Sequence, residues 1–68
     1  MSEVAVRFGQ RLRSLRKEQG LSQEDLALRS GLHRTYVSSV ERGERNISLG
    51  TIEKLASALK VGMAELMP

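Results

Sequence analysis

The chemistry open to this chain is narrow. Its one histidine, His33, has no second ligand type beside it at a metal-binding spacing, and there is no cysteine. No nucleophile stands in a recognisable elbow, so the residues offer nothing for acid–base or nucleophilic catalysis. The expectation is a chain that is not an enzyme and has neither metal nor cofactor. What its side chains can do is donate to anions. The formal net charge is +3, and residues 1–22 carry that excess: Arg7, Arg11, Arg13, Arg16 and Lys17 stand there against Glu3 and Glu18, while the remainder balances. A basic excess favours a polyanionic partner, although basic helix faces are also common on ordinary soluble domains.

To hold such groups in place the chain has 68 residues, room for one domain over 1–68 near the lower size limit for folding without staples. Helix packing or association must therefore supply stability. The start lacks a basic segment followed by an apolar run, and no stretch approaches the roughly 18 apolar residues that would span a bilayer. A soluble cytoplasmic protein with no membrane partner is expected.

The elements follow from apolar spacing. Val4, Phe8, Leu12 and Leu15 recur at intervals of four, four and three, which predicts a first helix over about 3–19 with these four on one face. Gly20 and Leu21 suit its end. Ser22 offers an N-cap oxygen to a second helix whose first turn is acidic, through Glu24 and Asp25; it carries Leu26 and Ala27 inward and stops near Ser30, before Gly31. His33 reads as a cap or turn residue ahead of a third helix over 34–42, with Val37 and Val40 three apart and Gly43 closing it. A fourth begins at Ser48 or Gly50 and buries Ile52, Leu55, Ala56 and Leu59. Lys60-Val61-Gly62 turns the chain, and a last short helix runs from Met63 to Met67. No strand alternation or internal repeat is present, so the fold class is all-α with five helices.

Within this order the twenty residues from Gln23 to Arg42 form a pattern with a mechanical cause. Ala27 is fifth, Gly31 ninth, and Val37 and Val40 fifteenth and eighteenth. Two helices that cross steeply through a short turn need a small residue at closest approach. They also need a turn residue tolerant of positive φ, and branched apolar residues to lock the second helix down. The segment resembles the helix-turn-helix of the lambda repressor and Cro family, and the resemblance extends from about Phe8 to Met67. Ser22 to Ala27 looks like the motif's entry, Val40-Glu41-Arg42-Gly43 like the exit from its recognition helix, and Leu55 to Leu59 like the helix after it. More narrowly, 31–38 with Glu41-Arg42-Gly43 and Arg45-Asn46-Ile47-Ser48 is similar to the small controller proteins of restriction-modification systems.

The resemblance implies a compact lambda repressor-like domain that binds double-stranded DNA. It places Arg34, Thr35, Ser38 and Ser39 on the outward face of the recognition helix, facing base edges in the major groove. It makes Gln23 a backbone anchor, and Tyr36, Arg42, Arg45, Asn46 and Ser48 phosphate contacts that set register. Arg16 and Glu41 match positions that pair in relatives, joining the first helix to the end of the third. A homodimer is expected through Ile47, Leu49, Val61, Met63 and Met67, because resembling proteins pair there and one short recognition helix reads only a few base pairs. The function implied is sequence-specific regulation of transcription at a near-palindromic operator. The alternative reading is the DNA-binding part of an antitoxin or phage-type repressor on the same scaffold.

Overall fold

Ser2 opens the first helix by accepting the Ala5 N–H on its hydroxyl at 3.0 Å, and Glu3 complements the positive helix end. The computed structural model describes residues 2–68, in which α1 is Glu3–Glu18, α2 Gln23–Ser30, α3 Arg34–Glu41, α4 Leu49–Leu59 and α5 Met63–Leu66. Among the described residues there is no strand, and no helix is long and apolar enough to cross a membrane.

Each boundary has a local cause. After α1, Leu21 N–H returns to Arg16 C=O and Gly20 N–H to Lys17 C=O, so Leu21 folds back over the last turn. Ser22 and Asp25 form a reciprocal capping box at α2: Asp25 N–H donates to Ser22 Oγ and Ser22 N–H to Asp25 Oδ2, both at 2.9 Å. Gly31 ends α2 at φ +74°, a left-handed conformation that costs a residue with a Cβ about 1 kcal/mol or more. His33 has the extended N-cap backbone but makes no side-chain cap bond. Ser48 caps α4 through Thr51 N–H at 3.2 Å.

The core lies under the α2–α3 crossing. Leu12, Leu26, Val37, Val40, Leu55, Leu59 and Leu66 are fully buried there, each contributing about 1.5–3 kcal/mol of transfer free energy. α2 packs on α3 and α4, α1 on α3 and α5, and α4 on α5, with Ala27 buried at the crossing. One expectation for α1 is corrected. Val4 is 58% exposed and Ala5 takes the buried place. A spacing of four overshoots a helical turn by about 40°, so the row Val4, Phe8, Leu12 drifts around the helix until Val4 leaves the core face.

α1 also contains a close approach that its apolar spacing hides. A Cβ on Gly9 would lie 2.7 Å from the Glu41 carbonyl oxygen, so glycine is what lets α1 reach the carboxyl end of α3. Further along, Arg11 Nε donates to Glu65 C=O at 2.7 Å and Gln19 Nε2 to Leu59 C=O at 2.7 Å, satisfying carbonyls at the ends of α5 and α4.

The capping box gives a pH expectation. The Asp25 carboxyl is held below the usual aspartate range by the Ser22 N–H and then the Ser22 hydroxyl. A folded-state pKa below the unfolded one means that the box stabilises at pH values above the ordinary aspartate pKa of about 4 and is lost as pH falls through the lowered value. Denaturant midpoints measured from neutral pH down through that range should fall more steeply for the parent than for Asp25→Asn. Parallel slopes would show that the box adds nothing.

Candidate nucleic-acid interface

The outer face of α3 is built from residues that the core leaves free. Successive helix positions are about 100° apart, so with Val37 and Val40 buried, Arg34, Thr35 and Ser38 share the opposite side. Arg34 and Thr35 are exposed and Ser38 is half-buried. Arg34 Nη1 lies 3.7 Å from Glu24 Oε2, and both side chains are about two-thirds exposed. A pair so open to water is worth at most about 1 kcal/mol, leaving Arg34 free to exchange Glu24 for another acceptor.

Ser39, expected beside them, is buried instead. Its hydroxyl donates to Tyr36 C=O at 2.8 Å and accepts from Arg45 Nε at 3.3 Å. It stands about 100° round the helix from Ser38, and Arg45 folds over it from the following loop. Ser39 is therefore removed from the base-reading row. Arg45 also lies over the Tyr36 ring, 5.6 Å from its centroid, and so ties the loop to α3 by a cation–π contact as well. Tyr36 itself is half-buried with its ring against the core.

Arg42, the C-cap of α3, has its guanidinium engaged on three sides. Nε and Nη2 form a bidentate pair with Glu44 at 2.9 and 3.0 Å, while Nη1 donates to Ser38 Oγ. The Glu44 hydrogen bond raises the Arg42 pKa, and the same bond holds the Glu44 carboxyl below the usual carboxylate range.

Beneath this surface sits a buried polar network. Arg16 Nε and Nη2 donate to Glu41 at 2.6 and 3.0 Å, Arg16 Nη1 donates to Leu21 C=O at 2.7 Å, and Gln23 Nε2 donates to Glu41 Oε1 at 3.1 Å. Four segments meet there: α1, the loop after it, the start of α2 and the end of α3. Glu41 raises the Arg16 pKa by hydrogen bonding more than burial lowers it. One hydrogen of the Gln23 amide is thus occupied, and the other remains for an acceptor outside the protein.

The remaining expected contacts lie on the loop into α4. Asn46 is exposed and accepts from Ser2 Oγ at 3.5 Å; Ser48 holds the α4 cap and also donates to Thr51 Oγ1 at 3.1 Å. Behind the loop an apolar groove is lined by Val4, Phe8, Ile47, Leu49, Ile52 and Met67, with Leu49 71% and Met67 47% exposed. The residues of the expected pairing surface differ in exposure. Ile47, Val61 and Met63 are all half-buried with one side against the core, whereas Leu49 and Met67 are exposed; Ile47, Leu49 and Met67 line the groove with Val4, and Val61 and Met63 lie outside it.

Sequence reasoning missed Gly9 and Glu44. The first could have been noticed as an isolated glycine inside a helical period. The second gives no signal, since its role depends on the backbone turn at Gly43. Among the described residues no group of three histidines, cysteines or carboxylates could hold a metal.

Comparison with known proteins gives the family and the fold. The helix-turn-helix family profile matches residues 12–66. The control protein C.MunI from a Mycoplasma species is 46% identical over 67 residues, covering 97% of this chain and 90% of that protein. The crystal structure of the restriction-modification controller protein C.AhdI from Aeromonas hydrophila superimposes with a TM-score of 0.91 at 60% identity, over 93% of this chain and 96% of that one. The C.Esp1396I tetramer in complex with its natural 35 base-pair operator gives 0.87 at 35% identity, over 91% and 82%.

Proposed function

The chain belongs to the helix-turn-helix family, alongside the restriction-modification controller proteins, and from that premise we propose that it regulates transcription by binding a near-palindromic operator in double-stranded DNA as a homodimer. The observation that carries the reading is the outer face of α3. Arg34, Thr35 and Ser38 lie off the buried face of α3 that packs on α2, and none of them belongs to the hydrophobic core. An arginine there offers a bidentate donor to guanine O6 and N7, and a threonine offers its hydroxyl or methyl to a base edge.

Gln23, at the first turn of α2, is the register-setting contact to a phosphate, supported by free N–H groups of that turn. Tyr36 on α3, with Arg45, Asn46 and Ser48 on the loop after it, extends the backbone contacts. The groove of Val4, Ile47, Leu49 and Met67 is where two copies pair. Similarity to C.MunI and C.AhdI supports a role as a controller of a restriction-modification system. The protein acts by binding alone, in the cytoplasm, with no chemical step of its own.

The test begins with duplexes selected from a random pool. Affinity for a selected site should fall steeply with salt, because each phosphate contact releases counterions. Arg34→Ala should lose about 1–3 kcal/mol on that site and relax the preference at one base pair, whereas Gln23→Ala should weaken all sequences alike. Parent affinity equal on selected and random DNA would overturn the reading, and uniform loss in both variants would overturn the division of roles.

A further inference from the structure

The contacts around the end of α3 assign a direction to one hydrogen bond. Arg42 lies one turn after Ser38, and Glu44 holds its guanidinium through two parallel hydrogen bonds, a surface pair with side chains 55% and 47% exposed whose bidentate geometry turns Nη1 towards Ser38 Oγ. Arginine is a donor only. Ser38 Oγ must therefore accept, and its single proton is directed elsewhere. Among the described residues that hydroxyl donates to no protein acceptor, unlike its neighbour Ser39, whose proton goes to Tyr36 C=O. An unconstrained serine can donate or accept as the base edge demands. This one is biased to donate.

Resting on the DNA-binding reading above, we propose that Arg42 is a positioning residue for sequence readout: clamped by Glu44, it makes Ser38 a hydroxyl donor aimed at acceptor atoms on base edges in the major groove. The atoms that fit its proton are purine N7, guanine O6 and thymine O4; an amino group of adenine or cytosine would engage only the second lone pair and leave the proton unused. Arg42 was expected to contact a phosphate. Its engagement on three sides argues for this internal role, and Glu44 beside it would repel a phosphate.

The test compares the parent, Ser38→Ala, Arg42→Ala and the double variant in selections from randomised duplex DNA, with affinity measured at several salt concentrations. Arg42 is exposed and Ser38 half-buried, and thermal melting checks that each variant folds. Ser38→Ala should reduce the preference at one base pair by about two- to tenfold, as for a single net hydrogen bond. Arg42→Ala should reduce preference at that same base pair, the double variant should lose no more than either single one, and the salt slope should stay unchanged. Uniform loss on all sequences in Arg42→Ala, with a slope smaller by about 0.9, would make Arg42 a phosphate contact and overturn the proposal. Unchanged preference in Ser38→Ala would overturn it equally. Absence of sequence preference in the parent would defeat the underlying DNA reading, and it is recognised before any substitution is made.

Discussion

Glu41→Ala is expected to leave the chain largely unfolded at room temperature. The substitution removes a carboxylate whose side chain is only 3% exposed and strands the Arg16 guanidinium, itself 9% exposed, without its bidentate acceptor. Breaking one side of a buried pair costs about 3–5 kcal/mol, since the remaining charge keeps its desolvation penalty and loses its compensation. A domain of this size has a total stability of roughly 3–10 kcal/mol, so the loss is comparable to the whole. Gln23 Nε2 is released at the same time, freeing the start of α2 from the end of α3. Denaturant unfolding followed by circular dichroism measures the effect. The double substitution Arg16→Met with Glu41→Leu should recover most of it, because apolar side chains of similar volume need no partner. If Glu41→Ala melts like the parent, the network is not what holds α1 to the motif.

How much of this was legible in the sequence depends on the range of the interaction. Helix ends were legible because their causes are local: Ser22 and Ser48 cap through atoms three residues away, and Gly20, Gly31 and Gly43 each take positive φ at a stop. The Arg16–Glu41 pair spans 25 residues and entered only through family resemblance, since no periodicity connects α1 to the end of α3. Ser39 was misplaced for a related reason. Helical spacing alone leaves it at the margin of the outer face, and its hydroxyl is bonded by Arg45, whose position depends on how the chain turns at Gly43. Val61 and Met63, like Ile47, are half-buried on the core, and from sequence an apolar residue near a chain end reads equally well as core or as interface. The packing of α5 on α1 and α4 sets how much of each is left exposed.

Exposure decides which substitution tests the dimer. Met63→Glu would place a charge against the core and confound association with folding, whereas Leu49 is the first residue of α4 and 71% exposed. A glutamate there sits at the positive end of the helix dipole and should leave the monomer as stable as before, or slightly more so. In the proposed dimer the same glutamate would be driven into an apolar groove opposite Val4, Ile47 and Met67 of a second copy, an unpaired buried charge that association cannot accommodate. Leu49→Glu should therefore sediment as a monomer and melt like a folded protein. Its affinity for a full operator should fall roughly 10²–10⁴-fold, because the second half-site is no longer bound intramolecularly, while a single half-site binds as tightly as before. The salt slope on the full operator should drop to about half, since one recognition unit neutralises half the phosphates. If the parent is monomeric at high micromolar concentration, or Leu49→Glu still pairs and binds the full operator normally, the groove between the start of α1 and the start of α4 is not the interface.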